Sequence, residues 1–272
     1  MKSIEKAIYF FDLAGIKNIE EYDRLYFGSE FCVLHFPSAT EFDYIIGLAK
    51  EKNKKVTLLT PLCDTQTIDF VRGILLSRYE MLKAVDFEVV INDYGMLSML
   101  QLFPDIKKVA GRDFFRYKKD PRIRKLDNIP KEYSYNMVNS ESVKEFCKKY
   151  SICRIEFDNV DYLLEGLNNN ELSYSVYYPY VKLTTTKMCR FQDDNLYSKF
   201  NGLSVTTKCD RKCDKCVLEL ENNALDTSIF VRGNTQYYYT EEKSIEWYHE
   251  RGISRIVYDK MLPVDNKVVS LK

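Results

Sequence analysis

Short runs rich in β-branched and aromatic residues alternate with amphipathic stretches along most of this chain, and that alternation restricts the fold more than any other feature. The runs are AIYFF (7–11), RLYFG (24–28), KVTLLTP (55–61), FEVVIND (87–93), KKVAGR (107–112), CRIEFDN (153–159) and ELSYSVYYPYVKLT (171–184). Between several of them lie helical patterns. TEFDYIIGLAKEK (40–52) opens on a candidate N-cap, Thr40, and repeats apolar side chains at 42, 45, 46 and 49, one helix face. Residues 64–80 and 140–150 read the same way. Strands separated by helices predict a parallel sheet. Their number over 272 residues favours a closed TIM-barrel-like (βα) barrel, an α/β fold, over an open doubly wound sheet.

Later in the chain the pattern resumes with SIFVRGNTQYYY (228–239), a helix expected over 240–251, a stop at Gly252 and a strand, ISRIVYDK (253–260). Thr240 is the expected cap there, with Glu241 and Glu242 in the first turn, where the helix dipole favours acid. No internal repeat or Pro-rich linker divides the sequence, so a single barrel domain over 1–272 is the simplest account. In such barrels chemistry sits where strands end. Cys32, Asp93, Arg112 and Asp158 fall at those places. The last three are weak catalytic candidates, and each acidic residue equally suits a helix cap.

Forty basic and forty acidic residues cancel, so no global field draws the protein to nucleic acid or to an anionic membrane. One local segment, RDFFRYKKDPRIRK (112–125), interleaves seven Lys or Arg with aromatics and would suit an RNA-strand groove; a solvated loop is the plainer reading. No window approaches the roughly 18 apolar residues of a membrane span. MKSIEKAIYFFDLAG has no signal-peptide apolar core, so a cytoplasmic protein is expected. Thiols stay reduced there, and clustered cysteines then suggest metal or catalysis before disulfides.

Eight cysteines are present. Cys63, Cys147 and Cys153 read as small packed hydrophobes. Cys189, Cys209, Cys213 and Cys216 differ, because KCDRKCDKC (208–216) sets three thiols among Lys208, Arg211, Lys212 and Lys215, where burial for packing is implausible. Those cations favour thiolates and offset the charge of a thiolate-ligated centre. Zinc and iron-sulfur both take four thiolates. A zinc ribbon shows two CxxC knuckles, whereas only one end of this loop has that form and Cys189 stands alone, which favours an iron-sulfur cluster. His249 lies in a charged helix. His35, in CVLH, is a possible base for a Cys32 nucleophile, though Cys32 has the better claim as a metal ligand. Nucleotide-binding fingerprints are absent.

Several of these segments resemble one family. RLYFGSEFCVLHFPSATEFDYIIGLAKEKNKKVTLLTP, FEVVINDYGMLSML, YPYVKLTTTKMCRF, KCDRKCDKCVLEL, SIFVRGNTQYYY and SRIVYDK are similar, in order and spacing, to the UbiU/UbiV group of the collagenase-like peptidase family (peptidase family U, number thirty-two). The resemblance covers about residues 5–260 and implies a barrel that holds an oxygen-labile 4Fe-4S cluster, with 228–239 and 253–260 as closing strands. It also implies one ligand after the second strand and three late in the chain. Cys32 and Cys189 match directly, Cys209 and Cys213 match the x3 spacing, and Cys216 is a fifth candidate for four places. The long gap after Cys189 departs from the pattern and reads as a cluster-binding insertion at about 185–220. The family is named for peptidases, but no credible triad or HExxH supports peptide hydrolysis. Relatives imply oxygen-independent hydroxylation of an aromatic or prenylated substrate or an RNA base. The expected partner is a second protein of the family, as a heterodimer, or an electron donor. A zinc-stabilised RNA- or protein-binding module is the rival, and a cysteine peptidase using Cys32 and His35 a third reading.

Overall fold

The computed structural model describes every residue except 1–2, 11–15, 17, 135, 168–170, 187–188, 190, 192–208, 222, 261–266 and 272. Eight strands pair in parallel and close in the order β1-β12-β7-β6-β5-β4-β3-β2. They are β1 (Glu5–Tyr9), β2 (Arg24–Gly28), β3 (Lys55–Leu59), β4 (Phe87–Ile91), β5 (Lys107–Ala110), β6 (Ile152–Asp158), β7 (Ser173–Tyr178) and β12 (Ile253–Asp259). The expected barrel is therefore present. Registry between β1 and β12, from Glu5 opposite Arg255 to Tyr9 opposite Asp259, makes the closure.

Side chains alternate between two environments along each strand, as a pleat requires. Ile8, Leu25, Phe27, Val56, Leu58, Val89, Ile155 and Ile256 pack outward in one large cluster with the helices. Ala7, Tyr9, Tyr26, Leu59, Val90, Val109, Tyr177 and Val257 form a second cluster, on the opposite strand faces. The helices supply the outer cover. In α1 (Ala39–Glu51) the buried face is Phe42, Ile45, Ile46 and Ala49, as the spacing predicted. Its cap is Ser38 rather than Thr40, because Ser38 and Glu41 form a reciprocal capping box that satisfies two amides at once. α2 (Thr65–Leu82) is capped by Asp64, and α5 (Glu141–Lys149) by Ser140. The shorter helices are α3 (Tyr94–Met99), α4 (Lys131–Ser134), α6 (Asp161–Leu164) and α7 (Ile245–Glu250).

Three expectations change in the later half. The run 171–184 divides at Pro179, which has no N–H to give a ladder; β7 stays in the barrel and β8 (Tyr180–Thr185) leaves it. SIFVRGNTQYYY does not close the barrel. It forms an antiparallel hairpin of β10 (Ile229–Arg232) and β11 (Thr235–Tyr239), a pairing that an all-parallel barrel cannot take in. With β9 (Cys216–Leu220) and β13 (Lys267–Leu271) it builds a second sheet, in the order β13-β9-β10-β11-β8. Tyr237 of this sheet joins the inner barrel cluster, with its ring 6.1 Å from that of Phe31. Finally, the last helix starts at Ile245 under a Ser244 cap. Thr240 instead bonds back to the Pro179 carbonyl oxygen at 3.2 Å, tying the end of β11 to the start of β8.

Gly28 ends β2 with φ +106°, and a Cβ there would lie 2.4 Å from the Leu59 carbonyl oxygen of the neighbouring strand. The turn that carries Ser29 to Cys32 depends on this close approach. Gly28→Ala is expected to cost at least about 2 kcal/mol in urea unfolding, because backbone and not a flexible side chain is in the way. A loss below about 0.5 kcal/mol would show that the turn relaxes freely.

Candidate metal centre and barrel mouth

Four of the five candidate cysteines line one cavity at the C-terminal ends of the barrel strands. Cys32, Cys189, Cys209 and Cys213 share it with Tyr9, Phe31, Arg232 and Tyr237. The thiols arrive on three pieces of chain: Cys32 after β2, Cys189 after β8, and Cys209 and Cys213 from the loop before β9, Cys213 on a short 3-10 turn. Cys216 is not in the lining. It begins β9 and packs in the apolar cluster of Phe191, Leu218 and Val231, to which Cys213 and Cys189 also belong. Residues 192–208 of the expected insertion, with Lys208, lie outside the described residues.

Local geometry aims several donors at these sulfurs. Arg211 adopts a left-handed conformation, φ 53°, and its amide donates to Cys209 Sγ at 3.4 Å. Burial pushes the Cys32 thiol up, while the amides of Leu34 and His35 hold it down and Cys209 adds to the rise. Cys213 is driven well above the usual thiol range, first by burial and then by Asp214 and Cys189, with Arg232 opposing. Gly233 turns at φ +60° beside this site, and a Cβ on it would come within 3.8 Å of Cys213 Sγ.

Hydrogen bonds tie the cysteine-bearing segments together. Asn234 Nδ2 donates to the Phe31 and Thr186 carbonyl oxygens, both at 2.8 Å, linking the chain before Cys32 to the chain before Cys189. Arg232 Nε donates to the Cys213 carbonyl oxygen at 2.8 Å. His35 Nε2 lies 2.6 Å from Asp214 Oδ1, which joins the Cys32 and Cys213 turns. Of the other cysteines, Cys147 is buried and Cys63 partly so, as packing residues should be, whereas Cys153 is exposed because it falls on the outer side at the start of β6. His249 sits in the last turn of α7.

The polar candidates divide sharply. Asp93 is a structural cap: its carboxylate accepts the amides of Met96 at 2.8 Å and Cys63 at 2.9 Å. Arg112 and Asp158 belong to a fully buried ion cluster over the inner barrel. Arg112 Nη2 meets Glu30 at 2.5 Å, Nη1 meets Asp158 at 2.8 Å, and Asp259 stands 3.7 Å away. Asp158 also receives Lys119 Nζ at 2.5 Å and the Lys182 amide at 2.9 Å. The guanidinium lies 3.7 Å over the Tyr177 ring. Asp158 is 2% exposed and Lys119 8%. Deeper in the barrel, Glu156 accepts from the Tyr26 and Tyr177 hydroxyls, both at 2.8 Å. Burial, with Glu30 adding, pushes its pKa up to about 7. Beyond it, Arg255 pairs with Glu88 and Glu5. Sequence reasoning missed Glu30, Glu156 and Asp259. The last two had a signal, charged residues at alternate positions of apolar strand runs, where the pleat turns them inward.

No protein-family model matches this sequence, and no curated protein matches it. Among solved structures, one described as a U32 peptidase is similar at 12% identity with a TM-score of 0.46, over 94% of this chain and 92% of that one.

The Glu156 environment fixes a pH dependence. Its folded pKa lies above that of an exposed carboxyl, so it contributes stability fully present below about pH 4.5 that is lost as pH rises through about 7. Glu156→Gln removes this titration. Chemical denaturation from about pH 5 to about pH 8 is expected to show the variant gaining on the wild type as pH rises. A constant difference across that range would contradict the assignment.

Proposed function

We propose that this chain is an iron-sulfur protein that holds a 4Fe-4S cluster on Cys32, Cys189, Cys209 and Cys213, with Cys216 outside the ligand set. The observation that carries the reading is the convergence of four cysteines, from three separate segments, on one cavity. The donor set fits the group, since a cubane takes four thiolates. Arg232 and the Arg211 amide would offset thiolate charge, and Phe31, Tyr9 and Tyr237 shield the cavity from the barrel side. When bound, the cluster supplies one-electron transfer; with all four positions filled by sulfur, no iron is left open for substrate.

The role we propose for that centre is oxygen-independent hydroxylation of an aromatic or prenylated substrate or an RNA base, together with a second protein of the same kind or an electron donor. Its support is the resemblance of the quoted segments to the UbiU/UbiV group. The cytoplasm is the compartment proposed, because the thiols must stay reduced.

Zinc is the second reading, and one observation favours it. Among the described residues, His35, Cys213 and Asp214 are the group of potential ligands whose atoms all lie within 4.8 Å of one another. No three of the four thiols meet that limit, although tetrahedral zinc would bring its sulfurs to within about 3.8 Å. The space among the cysteines, ≈ 20 Å³, is about one water's worth, so seating a cubane requires the lining to open.

Metal content decides between the two. Protein purified without air is expected to be brown, with about four irons and four sulfides per chain. Alanine at Cys32, Cys189, Cys209 or Cys213 should each abolish iron after anaerobic reconstitution, and Cys216→Ala should keep it. A colourless protein with one zinc that His35→Ala releases would establish the zinc reading instead, and full iron in Cys32→Ala would overturn the ligand set.

A further inference from the structure

A second cavity opens at the same end of the barrel, of ≈ 300 Å³, a volume at the lower end of small-molecule sites. Its walls include Arg112, Arg116, Lys119 and Lys182, the Thr184 hydroxyl, and a single carboxylate, Asp113. The acids that neutralise Arg112 and Lys119, namely Glu30, Asp158 and Asp259, are buried and contribute nothing to the lining. The pocket thus presents the cationic side of the barrel-mouth ion cluster.

Donors are left over on that side. Arg112 is largely spent on Glu30 and Asp158. Lys119 Nζ bonds Asp158 and Lys182 Nζ bonds Asp113, one partner each for an ammonium with three hydrogens. Arg116 is exposed and makes no hydrogen bond or ion pair with the described residues. Burial lowers Lys182 to about 8, with Glu30 opposing and Arg112 adding to the fall, as expected of a poorly hydrated cation that an incoming anion would stabilise.

We propose that this pocket binds a small organic anion through a carboxylate or phosphate group, held by Arg116, Lys119, Lys182 and Thr184. An extended polyanion fits the surface less well. The other cations of 112–125 are engaged: Lys118 lies over the Tyr133 ring, Arg122 pairs with Asp120, and Arg124 and Lys125 pair with Asp226. One recess with unspent donors remains, rather than a stripe. Phe31 connects the recess to the cysteine cavity, since it lines the latter while Lys182 Nζ and the Arg112 guanidinium lie 5.0 and 5.4 Å from its ring centre. The walls of the recess contain no cysteine, so the proposal stands whether or not the protein holds iron.

The test is titration calorimetry of the full chain at low salt with inorganic phosphate, malonate, neutral malonamide and a single-stranded RNA oligomer, repeated on Arg116→Glu and Lys182→Met. The expected result is one saturable site for phosphate or malonate, none for malonamide, and affinity weakened about tenfold or more by Arg116→Glu with an unchanged melting temperature. Preference for phosphate would assign a phosphate ester, and preference for malonate a carboxylic acid. Because Arg116 is exposed, its reversal tests the site even if Lys182→Met destabilises the fold. Absence of saturable binding of either anion up to about 10 mM, wild-type affinity in Arg116→Glu, or binding of RNA alone would overturn the proposal.

Discussion

Arg112 is almost wholly buried, and the cost of dehydrating a guanidinium, several kcal/mol, is offset only if acids and ring faces replace the lost solvent. Glu30 from the turn after β2, Asp158 from the end of β6, Asp259 from the end of β12 and the Tyr177 ring of β7 do this. These groups come from widely separated parts of the barrel, so the cluster can assemble only when the barrel is closed. The same charges fix what lies above them. The Lys182 amide on Asp158 and the Tyr180 carbonyl oxygen, 3.4 Å from Arg112, seat β8 across the mouth, and β8 is the edge from which the second sheet is built.

That sheet is what brings the cysteines together. The β10–β11 hairpin ends in Gly233 and Asn234, and Asn234 holds the chain before Cys32 to the chain before Cys189. Arg232 of the same hairpin holds the Cys213 turn. A hairpin drawn out of the barrel therefore does more for the candidate centre than it would as a pair of closing strands. It also places the thiol cavity and the cationic recess on either side of one short segment, the Phe31–Cys32 turn.

The barrel's inner polarity has a functional reading as well. Bulky branched residues usually fill such interiors. Here Arg255, Glu88, Glu156, Arg112 and Asp158 form successive charged layers between apolar ones, and buried ion pairs of this kind specify an arrangement more than they stabilise it. They tie the ends of β2, β5, β6 and β12 to one another through side-chain contacts at the mouth.

The sequence by itself determined the barrel class, the buried face of α1 and the set of cysteines worth considering, because those depend on local periodicity and on the density of thiols in one short charged loop. Cys32 was legible as a candidate for the same reason: it follows a strand end. What only the tertiary structure decided was partnership. KCDRKCDKC offers Cys213 and Cys216 on equal terms, and their separation came from the turn at Arg211, which sends Cys213 into the cavity while Cys216 starts β9. Likewise Asp93 and Asp158 both lie at the ends of apolar strand runs, yet Asp93, two residues past β4, caps a helix and Asp158, the last residue of β6, neutralises Arg112, a distinction set by what the closed barrel places opposite each carboxylate. Charge and burial at a strand end are long-range properties, and a one-dimensional pattern does not contain them.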